Sequence, residues 1–199
     1  MAAGAVVYTF TVNLADVDRG VYEELSLRAA RHPSETDAYM VTRVLAYCLE
    51  YGEGIRFSEG VSSTDEPAVL VRDATGRLTD WIEIGAPDAA RLHHGSKLAD
   101  RAIVYTHRDP VRVASVWAGK KIHQAERIML RSFDPGFIDG AVAALERCGT
   151  EGAQLLTGVP AAVALTAASG EVVVLLDADI EVVPGWLAPL LAAFEDPDV

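Results

Sequence analysis

The chain is poor in the features that mark a secreted, membrane-embedded or zinc-organised protein. It has two cysteines in 199 residues and no CxxC pair, so two reduced cytosolic thiols, Cys48 and Cys148, are expected rather than a disulfide. The opening MAAGAVVYTFTVNL lacks a basic leader, and no apolar run approaches the roughly 20 residues of a membrane span. A cytoplasmic protein with no membrane partner is expected. Cations are scarce as well: 17 Lys+Arg stand against 29 Asp+Glu, a net charge of −12. That disfavours a broad grip on nucleic acid, whose affinity rests on cationic contacts to phosphate, and leaves a local basic patch as the route to such a ligand. There is no Gly-rich phosphate loop, no GxSxG nucleophile motif, no fixed-period repeat and no low-complexity tract. The adjacent His93 and His94 lack the i,i+4 spacing of helical zinc ligands, so zinc is not expected.

What is present is an ordinary globular composition, 50% hydrophobic and 23% charged, enough for one well-buried core and a single domain over 1–199. The chain is organised around Asp65 to Lys97. Ala68-Val-Leu-Val71 and Leu78 to Ile84 read as strands separated by the turn composition Asp73-Ala-Thr-Gly76. Pairing Asp73 with Gly76 across a two-residue loop fixes the sum of paired numbers at 149 and sets Glu66 opposite Glu83. Facing carboxylates repel unless something offsets them. A divalent cation would do so, and Mg²⁺ is held by one or two carboxylates, water and phosphate oxygens. A solvated strand glutamate and a loop glutamate before Pro67 explain the same pattern, because a register error of one residue removes the pairing.

That run, with Ala30-Arg-His-Pro-Ser-Glu-Thr36 upstream and Asp100 to Thr106 downstream, resembles the YaeQ family of bacterial proteins. The blocks ARHPSET, DEP, WIEIGAPD and ADRAIVYT carry the resemblance over roughly Tyr8 to Trp117. It fades beyond, and 150–199 is weakly specified. The resemblance implies an α/β fold with a variant PD-(D/E)XK nuclease-like core, a mixed central sheet flanked by helices. It implies Glu35 as the acidic residue of the first core helix, Asp65 and Glu66 as the acidic pair, and Glu83 as the acidic residue of the third core strand. Gly85 stands where the parent pattern has lysine. The family's replacement from the following helix aligns with His94, and Lys97 lies one turn on. The lysine's usual task is to orient water and stabilise developing negative charge.

The remaining elements follow from periodicity and punctuation. Val6 to Leu14 reads as a first strand pairing within the main sheet, and Val21 to Ala30 as an amphipathic helix. Ser34 is expected to cap a helix whose buried stripe is Val41, Val44, Leu45 and Cys48 and whose stop is Gly52. That capping context accounts for Glu35 without chemistry. Arg43 lies off the stripe, as a surface charge or a partner for the acidic cluster, the surface being favoured. Ile55 to Gly60 enters the central hairpin. Pro87 opens a helix with Leu92, Ser96 and Ala99 inward and Arg91, His94 and Lys97 along an adjoining face, a row that suits a phosphate ligand or solvent alike. Ala102 to Thr106 is a buried strand, Val111 to Gly119 a helix, Gln124 to Phe133 a strand and Phe137 to Cys148 a helix. His107 and His123 read as surface residues.

Near the end, Gly170 to Asp179 forms an apolar run closing in Asp177-Ala-Asp179. It resembles the metal-holding motif of family-2 glycosyltransferases. Only twenty residues follow, so the two aspartates read as the exposed end of a late strand. The leading expectation is a Mg²⁺- or Mn²⁺-dependent phosphodiesterase acting on nucleic acid, with Asp65, Glu66 and Glu83 as ligands, Glu35 supporting, and Lys97 or His94 orienting water. The alternative is a catalytically silent protein that keeps the fold and presents its acidic surface to a protein partner. A glycosyltransferase fragment is a distant third.

Overall fold

The structure is a computed structural model and describes residues 6–16, 19–58, 66–148 and 153–157. In chain order the elements are β1 (Val6–Asp16), β2 (Val21–Arg31), α1 (Asp37–Leu49), β3 (Ile55–Phe57), β4 (Val69–Arg72), β5 (Leu78–Ile84), α2 (Ala89–Leu98), β6 (Arg101–Thr106), α3 (Pro110–Trp117), β7 (Met129–Ser132), α4 (Pro135–Cys148) and β8 (Ala153–Thr157). They belong to two units, one built on Ala29–Ala143 and the other on Thr9–Arg28 with the last strand. Among the described residues no helix is long and apolar enough to cross a membrane.

The smaller unit is a three-stranded sheet in the order β2-β1-β8, with β1 and β8 parallel from Phe10 opposite Ala153 to Leu14 opposite Thr157. Two expectations are corrected here. The first strand does not join the main sheet, and Val21 to Ala30 is a strand rather than a helix. Its burial follows a period of two, with Leu27 and Ala29 buried while Ser26, Arg28 and Ala30 are exposed. A helical stripe through Val21 and Leu25 would have turned Arg28 inward, so pairing with β1 wins over local helix propensity.

The main sheet runs β3-β4-β5-β6-β7, antiparallel through β5 and parallel from β5 to β7. This is the mixed central sheet that the family resemblance implies. Strand alternation assigns its faces. Ile82 and Ile84 of β5 and Ile103 and Tyr105 of β6 cluster with Ala46 of α1, while Trp81 lies under Gly95 of α2 on the opposite face. Helix α1 buries Val41, Val44, Leu45 and Cys48 as expected. Its cap is Thr36, whose hydroxyl accepts from the Tyr39 N–H, because the Ser34 hydroxyl is engaged by His32 at 2.7 Å. The helix also ends earlier than Gly52: Leu49 is its last residue and Glu50 its C-cap, the Glu50 carboxylate held by Arg101 and the Tyr105 hydroxyl of β6 at 2.6 Å each.

The hairpin exists, but its register differs from the expected sum of 149. Val69 pairs with Ile82, Leu70 with Trp81 and Val71 with Asp80, and a bulge at Val71/Arg72 shifts the next pair to Arg72 and Leu78. The Asp73 carboxylate accepts from the N–H groups of Thr75 and Arg77, and the Asp73 N–H bonds the Arg77 carbonyl, so the loop holds three residues rather than two. Loop and bulge each add one residue to the β5 side or the turn. Continued outward, this register brings Ala68 level with Glu83, so Glu66 does not face it across the ladder. Further along, the expected strand at Gln124 begins with left-handed Gln124 and a 3-10 turn at Ala125–Arg127, leaving only Met129–Ser132 extended.

Gly95 marks a close approach of α2 to the sheet. A Cβ there would lie 2.4 Å from the Trp81 indole. Trp81 is fully buried and its N–H donates to Glu83 at 2.7 Å, so the ring has no room to yield. Gly95→Ala therefore loses despite the roughly 1 kcal/mol that alanine gains in helix propensity. Overpacking of this kind costs about 1–3 kcal/mol, which lowers Tm by about 2–12 °C for a chain this size. An unchanged melting curve would mean that α2 does not rest on Trp81.

Candidate active site

The candidate site lies in the larger unit, where β5 ends and the chain turns into α2. Glu83 and Trp81 share the α2 face of β5. Ile84 is the last strand residue, and Gly85 follows in the left-handed region with φ +83°, its N–H bonded to the Tyr105 carbonyl at 2.8 Å. A side chain there would be strained whatever space it found, and glycine fits this position without that strain. Asp88 then caps α2 by accepting from the Arg91 N–H at 2.8 Å. This cap sets the first turn of α2 so that the Arg91 side chain returns toward the strand.

A cavity of about 320 Å³ opens at this point, lined by Tyr39 and Arg43 of α1, Glu66, Glu83, Arg91 and Arg108, with the backbone from Gly85 to Pro87 as one wall. Glu83 is 3% exposed. Its carboxylate pairs with Arg91 Nε at 2.6 Å and accepts from the Trp81 indole. Burial nevertheless dominates and raises its pKa from the ordinary 4.5 to about 7, against the lowering effects of Arg91 and Trp81. The same guanidinium donates to the Glu66 carbonyl at 2.5 Å and lies over the Trp81 ring. One cation thus holds together the strand carboxylate, the backbone of the acidic segment and the sheet-facing aromatic.

Behind this lies a second pair. Arg43 is 2% exposed and donates to Glu35 at 3.1 Å and to the Ala30 carbonyl at 2.6 Å. The surface reading of Arg43 is therefore corrected: a buried carboxylate requires it. Glu35 also accepts from the His32 N–H at 3.0 Å. The Tyr39 hydroxyl is pushed up to about 12, first by burial and then by the nearby Glu83 and Glu35. His107, expected at the surface, is half-buried against the Thr42 hydroxyl at 3.1 Å, and burial lowers its pKa.

Of the residues singled out in the sequence, the structure brings Glu66 and Glu83 to one cavity and places Glu35 behind it, on Arg43. Asp65 lies outside the described residues, as do Asp177 and Asp179. His94 and Lys97 are exposed on α2 and do not line the cavity, and His94 stands edge-on to Trp81. Arg91, the first of their row, is the member that enters. Tyr39 and Arg108 were not anticipated. The signal for Tyr39 was its spacing, four residues before Arg43, which aligns the two along one side of α1. Among the described residues no group of three or more His, Cys, Asp and Glu side chains is arranged to hold a metal ion.

A family profile described as YaeQ protein matches residues 1–170, and one described as Glycosyl transferase family 2 matches 161–199, a segment outside the described residues. The chain is 37% identical over 117 residues to a YaeQ protein of Escherichia coli (strain K12), a match covering 59% of the chain and 64% of the relative. The chain thus spans just under two thirds of that relative's length. It is 32% identical over 139 residues to a YaeQ protein of Salmonella typhi, covering 70% of the chain and 75% of the relative. The crystal structure of a YaeQ protein from Pseudomonas syringae superposes with a TM-score of 0.62 at 30% identity, covering 74% of this chain and 80% of that one.

Proposed function

The chain belongs to the YaeQ family, and from its cavity we propose a metal-dependent phosphodiesterase on a PD-(D/E)XK nuclease-like core, acting on nucleic acid. The observation that carries the reading is the Arg91 guanidinium, which donates to the Glu83 carboxylate at 2.6 Å and to the Glu66 carbonyl at 2.5 Å inside a cavity also lined by the Glu66 side chain. Accepting oxygens from two segments converge on one positive charge. Mg²⁺ and Mn²⁺ suit such a donor set, since Mg²⁺ needs only one or two carboxylates with water and phosphate oxygens completing its shell. Glu83 and Glu66 would hold the ion, with Asp65 as a further donor. Bound there, it would supply charge stabilisation at the phosphoryl oxygens and an activated water.

The chain's own residues have distinct tasks in this reading. Glu83, buried and with a pKa near neutrality, can give up its proton to become a ligand or take one from water. Arg91 answers the charge that develops on the phosphate and takes over the lysine's task, which the sequence assigned to His94 or Lys97. Arg108 and the Tyr39 hydroxyl orient phosphate oxygens at the mouth. Glu35 acts through Arg43 as a positioning residue.

A second reading rests on the same guanidinium. Because Arg91 already neutralises Glu83 and Gly85 has no lysine to offer, the site satisfies itself without an ion, as a catalytically silent protein that binds a protein partner would require. Calorimetric titration of Mn²⁺ at low salt separates the two. Saturable one-site binding to the wild type, weakened at least tenfold in the isosteric Glu83→Gln, is the expected outcome. Absence of binding, or equal binding by both proteins, would establish the silent reading instead.

A further inference from the structure

We infer that the cavity takes the end of a single nucleic acid strand, one phosphodiester with one terminal nucleotide, and not the interior of a duplex; this rests on the phosphodiesterase reading above. Size is the first argument. About 320 Å³ is at the small end of the roughly 300–1,000 Å³ of small-ligand sites. Glu83 is nearly sealed at its inner end, and the walls at Pro67, Ala68 and Gly85 to Pro87 are covalently continuous backbone. A phosphate within a duplex is flanked on both sides by neighbours that such walls exclude. To reach Glu83 it would have to be extruded, with loss of pairing and stacking that contacts to flanking phosphates must offset.

Charge is the second argument, and it removes that compensation. Duplex DNA carries a charge about every 1.7 Å of axis, and holding it requires a track of cations. Among the described residues three guanidinium groups line the cavity. Arg43 is buried against Glu35 and Arg91 is bound to Glu83, while Arg108 is exposed and has no ion pair among the described residues. Glu66 at the same cavity is paired with Arg72 at 3.6 Å, and the chain as a whole carries −12. Among the described residues that exposed guanidinium, Arg108, matches one phosphate. A terminal nucleotide of a single strand enters without unpairing and presents one phosphodiester to the acid. The left-handed Gly85, bare of a side chain, leaves the neighbouring edge of the Tyr39 ring open to that nucleotide: an added Cβ would lie 3.8 Å from it.

The test uses the full chain with Mn²⁺ on three substrates: a linear single-stranded oligonucleotide, the same sequence ligated into a circle, and bis-p-nitrophenyl phosphate, with Glu83→Gln as background. The linear strand should shorten from an end at least tenfold faster than the circle opens, and the small diester should be hydrolysed in a Glu83-dependent way. A circle opened as fast as the linear strand is cut overturns the inference and leaves the phosphodiesterase reading standing, as does a linear strand left intact while the small diester is hydrolysed. If none of the three is hydrolysed above the Glu83→Gln background, the phosphodiesterase reading fails and the inference fails with it.

Discussion

Replacing Arg43 with alanine should cost about 3–5 kcal/mol of folding free energy, the range for breaking a buried ion pair from one side. Arg43 and Glu35 are among the least exposed charged side chains of the described residues, at 2% and 6%. In Arg43→Ala the Glu35 carboxylate loses its cation and keeps, among the described residues, the His32 N–H as its hydrogen-bond partner at 3.0 Å, which does not neutralise its charge. The Ala30 carbonyl loses its donor, and Phe57 loses the guanidinium lying 5.6 Å from its ring centre. At about 2–4 °C per kcal/mol for a chain of this size, Tm should fall by about 6–20 °C. The penalty is for the orphaned charge rather than for the pair's net worth, so Glu35→Gln combined with Arg43→Met should recover most of it. Urea unfolding of wild type, both single variants and the double variant reads the cycle. A loss under about 1 kcal/mol in Arg43→Ala would be the behaviour of a solvated pair and would contradict the burial seen here.

The sequence made the strands of the main sheet legible because each is a short apolar run bounded by turn chemistry, as at Ala68 to Val71 and Ala102 to Thr106. It made their register illegible for an equally specific reason. Register here depends on where the Asp73 side chain closes the loop and on one bulge at Val71/Arg72, and neither leaves a mark in the apolar pattern. The Val21 to Ala30 segment satisfies both periods in part, and the neighbour that decides between them, β1, is invisible to a local window. Arg43 was misassigned because a helical wheel starts at the cap, whereas its partner Glu35 precedes the helix. That Glu66 and Glu83 come near one another was readable, since both line one cavity. Their cation was not: Arg91, His94 and Lys97 are equivalent by spacing, and only the Asp88 cap and the fit of Gly95 on Trp81 fix which of the three turns to the strand.

Glu83 should also make the stability of the metal-free protein fall as pH rises through neutrality. Its folded pKa is raised, from 4.5 to about 7, chiefly by burial. The folded state therefore binds this proton more tightly than the unfolded chain does. The resulting stabilisation is fully present below the unfolded value and is lost as pH rises through the folded one. A gap of this size is worth about 3 kcal/mol at most, and between about pH 5.5 and about pH 8 some 2 kcal/mol of it should disappear. Other groups titrate over the same interval, so the quantity to read is the difference between wild type and Glu83→Gln in urea unfolding with EDTA present. Glutamine cannot ionise, yet it retains an acceptor for Arg91 and for the Trp81 N–H, so the variant should gain on the wild type steadily across that interval. A difference that stays constant with pH would mean that Arg91, 2.6 Å away, outweighs burial and keeps the carboxylate charged throughout. In that case Glu83 would meet an incoming cation already ionised, and Mn²⁺ binding would lose the proton release that a raised pKa demands. The pH dependence of stability and the pH dependence of Mn²⁺ affinity thus report the same proton, and the two must agree.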